Sequence, residues 1–262
     1  MKIEILTDAK FFSTFSSADM IGDEHYDFSI FQEPANFRPK SPEPQSLEFD
    51  LKKNTVKLKM VGKKHSLWGH RLWNAGKAMA YYLEDFDLTG KNIIEFGAAS
   101  GLPSMACAFK DAANVVLTDY PDPELLNALR DTVALNKEKF KSQVHVVGFQ
   151  WGQDVQDLLQ ISKRKYDLIL MADLIFNHKE HDHLLSSSKL LLQENGKILV
   201  TFTHHVVKWS DRDLKFFVKA QEHGFKVEKI KEEIWDCMFP EDQGDEMVRK
   251  TVHFYQLTLE AS

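Results

Sequence analysis

The sequence has 262 residues, 43% of them apolar and 27% charged, which predicts one soluble α/β domain of generous size with a short extra segment. Its net charge of −6 gives no support to a nucleic-acid surface, which needs a basic excess, and suits a basic partner better. No apolar run approaches ~18 residues, so no membrane span is expected.

Residues 1–50 read as an irregular N-terminal arm, because Pro34, Pro39, Pro42 and Pro44 break the stretch from Phe31 to Ser46. The opening Met1–Glu4 lacks a secretory apolar core. With only two cysteines, Cys107 and Cys237, a reducing cytoplasm is the expected location. Alternation over residues 47–60 about Lys53-Asn54 predicts a hairpin. From 51 to 262 a main domain is expected. Its pattern predicts a helix over Trp73–Leu83, a buried strand over Asn92–Phe96 and a helix over Leu102–Lys110. Strand and helix then alternate: Asn114–Thr118, Pro123–Asn136, Val144–Gly148, Val155–Ile161, Tyr166–Met171, Lys179–Leu192, Gly196–Phe202 and Asp211–His223, with Phe225–Ile230 and Thr251–Leu259 as closing strands. This order predicts a Rossmann-like, doubly wound, mostly parallel sheet of seven strands. Its last strand runs antiparallel and helices cover both faces. In such sheets a ligand sits at the carboxyl ends of the strands, near the switch point.

Four motifs fall at those ends. Glu95-Phe96-Gly97-Ala98-Ala99-Ser100-Gly101 is a strand-to-helix turn with two glycines and small residues between them. A ligand can approach such a backbone closely, and the helix start offers free N–H groups. Alanine at 99 and leucine at 102 miss the dinucleotide pattern G-x-G-x-x-G. Asp119, in Thr118-Asp119-Tyr120-Pro121-Asp122, ends the next strand twenty-two residues past Gly97, at the distance from which a carboxylate holds a ribose diol. Capping of the following helix falls to Asp122, ahead of Pro123. Trp151, after the third strand, is either an adenine-stacking indole or a core tryptophan. Ala172-Asp173-Leu174-Ile175-Phe176-Asn177-His178 leaves the fourth strand toward the expected reaction centre, where Asp173, Phe176 and Asn177 border an acceptor pocket or cap the next helix. His178, His181 and His183 lack metal-site spacing, so no metal is expected. His204-His205 faces the pocket or is structural.

Taken with Leu67-Trp68-Gly69-His70-Arg71-Leu72-Trp73, Pro103-Ser104 and Trp151-Gly152, these motifs resemble the lysine-methyltransferase-like family of seven-β-strand enzymes, and within it the fungal nicotinamide N-methyltransferase-like branch. The resemblance covers about residues 28–259. It implies S-adenosylmethionine as cofactor and, for that branch, the N-terminal amine and adjacent lysine of translation elongation factor 1-alpha as acceptor, with nicotinamide as the small-molecule alternative. It also implies that Trp73 and Trp68 contact the cofactor, that Glu95 orders the loop, and that Gly97, Ala98, Ala99 and Gly101 meet the methionine end. Asp119 and Tyr120 would sit at the ribose, Trp151 at the adenine and Ala172 beside the adenosine. Where the broader family has Asp-x-x-Tyr, this chain has Asp173-Leu174-Ile175-Phe176, without the hydroxyl. A non-catalytic nucleotide-binding module is the third reading. A monomer is expected.

Overall fold

Alternating side chains fold Gln45–Asp50 (β1) and Thr55–Met60 (β2) into an antiparallel hairpin with Leu47 opposite Leu58 and Phe49 opposite Val56. The structure is a computed structural model that describes residues 43–62 and 69–260. The hairpin straddles the arm boundary drawn at residue 50. Trp68 and the greater part of the arm lie outside the described residues.

The next elements are Asn74–Leu83 (α1), Asn92–Phe96 (β3), Leu102–Ala108 (α2), Asn114–Asp119 (β4), Pro123–Asn136 (α3), Gln143–Gly148 (β5), Gln156–Ser162 (α4) and Tyr166–Ala172 (β6). After them come His181–Leu191 (α5), Leu192–Thr203 (β7), Ser210–Glu222 (α6), Phe225–Ile234 (β8), Glu246–Lys250 (α7) and Thr251–Leu259 (β9). The large sheet has the order β5-β4-β3-β6-β7-β9-β8, and only β9 runs antiparallel to its neighbours. This is the expected doubly wound fold.

The period of two along the parallel strands sorts the core into two layers. Ile94 and Phe96 of β3 and Ile169 and Met171 of β6 pack with Leu158, Leu184 and Phe216 from α4, α5 and α6. Ile93, Leu168 and Leu170 pack on the other side with Met79, Leu102 and Leu129 from α1, α2 and α3. Each of these fully buried side chains contributes roughly 1.5–3 kcal/mol. Asp122 caps α3 as expected, accepting from the N–H groups of Glu124 at 2.8 Å and Leu125 at 3.1 Å. Farther along α3, Thr132 and Asn136 bond the backbone of Lys59 and Lys57, so the open edge of β2 is satisfied by helix side chains.

Several helix and strand ends shift by one or two residues from the sequence reading, and three differences are larger. β7 begins at Leu192 instead of Gly196, because buried Leu192 pairs with Tyr166 before the register shifts at Leu168. β8 runs to Ile234, four residues beyond the expected end. The short helix α7 precedes β9. Since β9 is antiparallel, β8 points the same way as β7, and segment 235–250 lies at the carboxyl edge of the sheet. Among the described residues, no helix is long and apolar enough to cross a membrane.

Candidate functional site

β3 leads to β4 and β5 on one side of the sheet and β6 leads to β7 on the other, so the chain reverses its order between β3 and β6. A cleft of about 460 Å³ opens at the carboxyl ends there, within the size range of small-molecule sites.

The turn after β3 forms its floor. Gly97 and Ala99 have φ of 56° and 44°, and Gly101 has 73° as the residue before α2. The left-handed region costs glycine little but strains alanine, by roughly 1–3 kcal/mol. Backbone bonds hold the strained loop: Ala98 N–H donates to the Thr118 carbonyl at 2.9 Å, and Gly101 N–H to the Ala98 carbonyl at 2.6 Å. A Cβ on Gly97 would sit 2.5 Å from Leu174 Cδ2 and 3.4 Å from Trp151 Cζ2. Gly101 does not line the cleft. A Cβ there would meet Leu117 at 2.8 Å, so its part is to let α2 start close against β4.

Glu95 is fully buried at the end of β3 and accepts from the backbone N–H of Ser104, at 3.0 Å, and from its hydroxyl. It thereby clasps the first turn of α2 to β3. Burial pushes its carboxyl up to about 8, against the two Ser104 bonds, and the charge of Asp119 adds to the rise. At neutral pH Glu95 is therefore mainly the uncharged acid. Asp119 is buried at the end of β4, where its Oδ2 accepts from Ala99 N–H and its Oδ1 from Tyr120 N–H, both at 2.7 Å. Both residues line the cleft, as do Trp151 and Tyr120, the latter 49% exposed at the rim. Trp151 also packs against the core layer of α4 and α5. The next residue, Gly152, is anchored by its N–H to Ser187 of α5 at 2.8 Å.

Ala172 at the end of β6 and Asp173, Leu174, Phe176 and Asn177 after it also line the cleft. Asp173 is 6% exposed and has φ of 61°; its N–H is held by the Thr201 carbonyl at 2.7 Å. Both its carboxylate oxygens lie 3.0 Å from Nε2 of His205, and Thr203 N–H reaches Oδ1 at 3.4 Å. Phe176 is 47% exposed at the mouth. Asn177 does not cap α5, whose cap position is Glu180. Trp73, at the start of α1, lines the cleft beside Gly76.

The histidines separate into different partnerships. His178 and His204 share Asp213, at 2.6 and 2.7 Å, His181 meets the Ile175 carbonyl at 2.7 Å, and His183 meets Glu180 at 2.9 Å. No group of three or more His, Cys, Asp or Glu side chains among the described residues is arranged to hold a metal. Phe149 and Glu180 line the cleft and escaped the sequence reading, as did Phe239, which lines a small recess with His205. Phe239, from segment 235–250, packs 5.9 Å from Trp73 and 6.2 Å from His205, ring centre to ring centre. No local pattern marks it. Glu180 lines the cleft three residues after Asn177, a spacing that could have flagged it.

The sheet order and a glycine turn facing an acid at the next strand end define a class I methyltransferase. The chain belongs to the lysine methyltransferase family, whose profile matches residues 52–223. It is 39% identical to the protein N-terminal and lysine N-methyltransferase efm7 of Schizosaccharomyces pombe, over 88% of this chain and 95% of that one. It is 37% identical to the protein of that name from Aspergillus fumigatus, over 87% and 92%. The fold is also similar to TYW2 of P. horikoshii, solved with MeSAdo. That match has a TM-score of 0.53 and 17% identity and covers 81% of this chain and 71% of that one. S-adenosylmethionine is the methyl donor of this class. The cradle at Gly97, which a Cβ would fill, and the carboxylate of Asp119 at the next strand end fit it.

Proposed function

We propose that this protein methylates the N-terminal amine and the adjacent lysine of translation elongation factor 1-alpha, as a cytoplasmic monomer. The observation that carries this reading is the buried carboxylate of Asp173, held by His205 in the cleft that the glycine turn also lines. The relatives' names, over nearly their whole length, supply the acceptor class.

Bound S-adenosylmethionine supplies a methyl group already activated on sulfonium, so alignment and a dry pocket remain for the protein to provide. Gly97, Ala98 and Ala99 present backbone to the methionine end, while Glu95 acts on that loop from beneath through Ser104. Asp119 takes the ribose diol with Tyr120 at the rim, Trp151 stacks on the adenine, and Ala172 leaves room beside the adenosine. Trp73 closes the cleft from the side of α1. Asp173 would accept an N–H of the incoming amine and so orient it for transfer, with Phe176 and Asn177 at its flanks. The nucleophile must be neutral. A chain-terminal amine, with pKa near ~7.7, reaches that state far more readily than a lysine near ~10.4.

Incubation with labelled S-adenosylmethionine tests the acceptor, with purified elongation factor 1-alpha and nicotinamide in parallel. Label in the protein, placed by mass spectrometry on its first residues, is expected. Label in nicotinamide alone would assign the chain to small-molecule transfer.

A further inference from the structure

We propose that His205 is a positioning residue for methyl transfer, whose Nε2–H holds the carboxylate of Asp173 toward the acceptor amine. The inference rests on the reading of Asp173 given above. An ionised carboxylate only accepts, so Nε2 carries the proton between them. Nε2 stands 3.0 Å from both oxygens, so a single donor fixes the plane of the carboxylate. Such a clamp is needed because Asp173 sits in a left-handed backbone conformation, held otherwise by its own N–H and by the longer bond from Thr203.

His205 is itself held from two sides. The indole of Trp73 lies 5.0 Å from its ring and the phenyl of Phe239 lies 6.2 Å away. Phe239 is fixed in turn: the guanidinium of Arg71 covers its ring at 4.5 Å, and Arg249 Nη1 donates to its carbonyl at 2.7 Å. Segment 235–250 thus reaches the acceptor side of the cleft through one imidazole, which accounts for the placement of a residue that no motif contains.

The charged groups around His205 are Asp173 after β6, Asp213 on α6, Asp242 in segment 235–250, and Arg249, which shares a small recess with it. Burial works against charge on the ring. Asp173, by its charge and its hydrogen bond, works for it with help from Asp213 and Asp242, and the balance lies above the ordinary histidine value of 6.5. The cationic ring cancels the negative charge that the acceptor meets. Activity therefore falls as the pH drops through the His205 pKa.

The test compares wild type, His205→Ala, His205→Gln and Asp173→Asn for transfer of labelled methyl into heat-treated extract of hypomethylated cells, with cofactor affinity and Tm measured on each. Glutamine keeps a donor near the Nε2 position but does not titrate. His205→Ala is expected to turn over at least roughly tenfold more slowly at unchanged cofactor affinity. His205→Gln is expected to recover most of the rate at pH 8.5. The acid limb of kcat/KM should fall from a slope approaching two, for the amine and His205 together, to a slope of one. Normal turnover by His205→Ala, or an unchanged acid limb in His205→Gln, overturns the proposal. If Asp173→Asn is slow while His205→Ala is normal, only the role of His205 falls. If Asp173→Asn is itself normal, the reading of Asp173 falls first.

Discussion

The amide of Ala99 donates to Oδ2 of Asp119 at 2.7 Å, and this one bond ties the glycine turn after β3 to the carboxylate at the end of β4. The turn and the carboxylate proposed to hold the ribose are therefore tied together. Asp119→Ala removes both the proposed ribose contacts and the loop's anchor. At about 1.5–3 kcal/mol for a hydrogen bond to a charged group, cofactor affinity should fall roughly 10- to 100-fold. Calorimetric titration with S-adenosylmethionine measures it, and an unchanged Kd would remove Asp119 from the site.

Gly97 carries two separable demands, a φ of 56° and a missing Cβ that would stand 2.5 Å from Leu174. Gly97→Ala is expected to lower stability by about 1–3 kcal/mol and to weaken cofactor binding. Adding Leu174→Ala should relieve the clash but leave the strain and a new cavity. Chemical denaturation of both variants should show binding partly restored without recovery of stability.

Glu95 predicts a pH effect of opposite sign to the usual carboxylate. Its folded pKa of about 8 lies above the ordinary value of 4.5, so between those limits the folded chain keeps a proton that the unfolded chain has lost. Stability from this group is full below 4.5 and is lost as pH rises toward 8. Glu95→Gln keeps the acceptor for Ser104 and does not titrate. The variant should match wild type near pH 4.5 and exceed it in urea midpoint near pH 8.5; equal midpoints at both would contradict the burial argument.

Much of the cofactor side was legible because its signals are local. The apolar run of β3 ending in Gly97, the spacing to Asp119 and the cap at Asp122 each lie within a few residues of what they control. The acceptor side was less so. Asp173 stood out as a strand-end acid, but its partner His205 lies thirty-two residues on, where pocket and core readings were equally open. Phe239 packs on Trp73 and His205 only because β9 inserts between β7 and β8 and leaves the preceding segment at the carboxyl edge. No periodicity encodes that insertion. The start of β7 was misplaced because Gly196 looks like a strand boundary. In the fold it lies close under Leu192, where a Cβ would stand 2.6 Å from that side chain.

In the proposed mechanism Asp173 is the group that orients the acceptor. Single-turnover transfer by Asp173→Ala, with S-adenosylmethionine saturating, isolates that step from cofactor binding. The predicted result is a rate roughly 100-fold below wild type at an unchanged cofactor Kd, as expected for a lost alignment. A wild-type single-turnover rate in Asp173→Ala would contradict it.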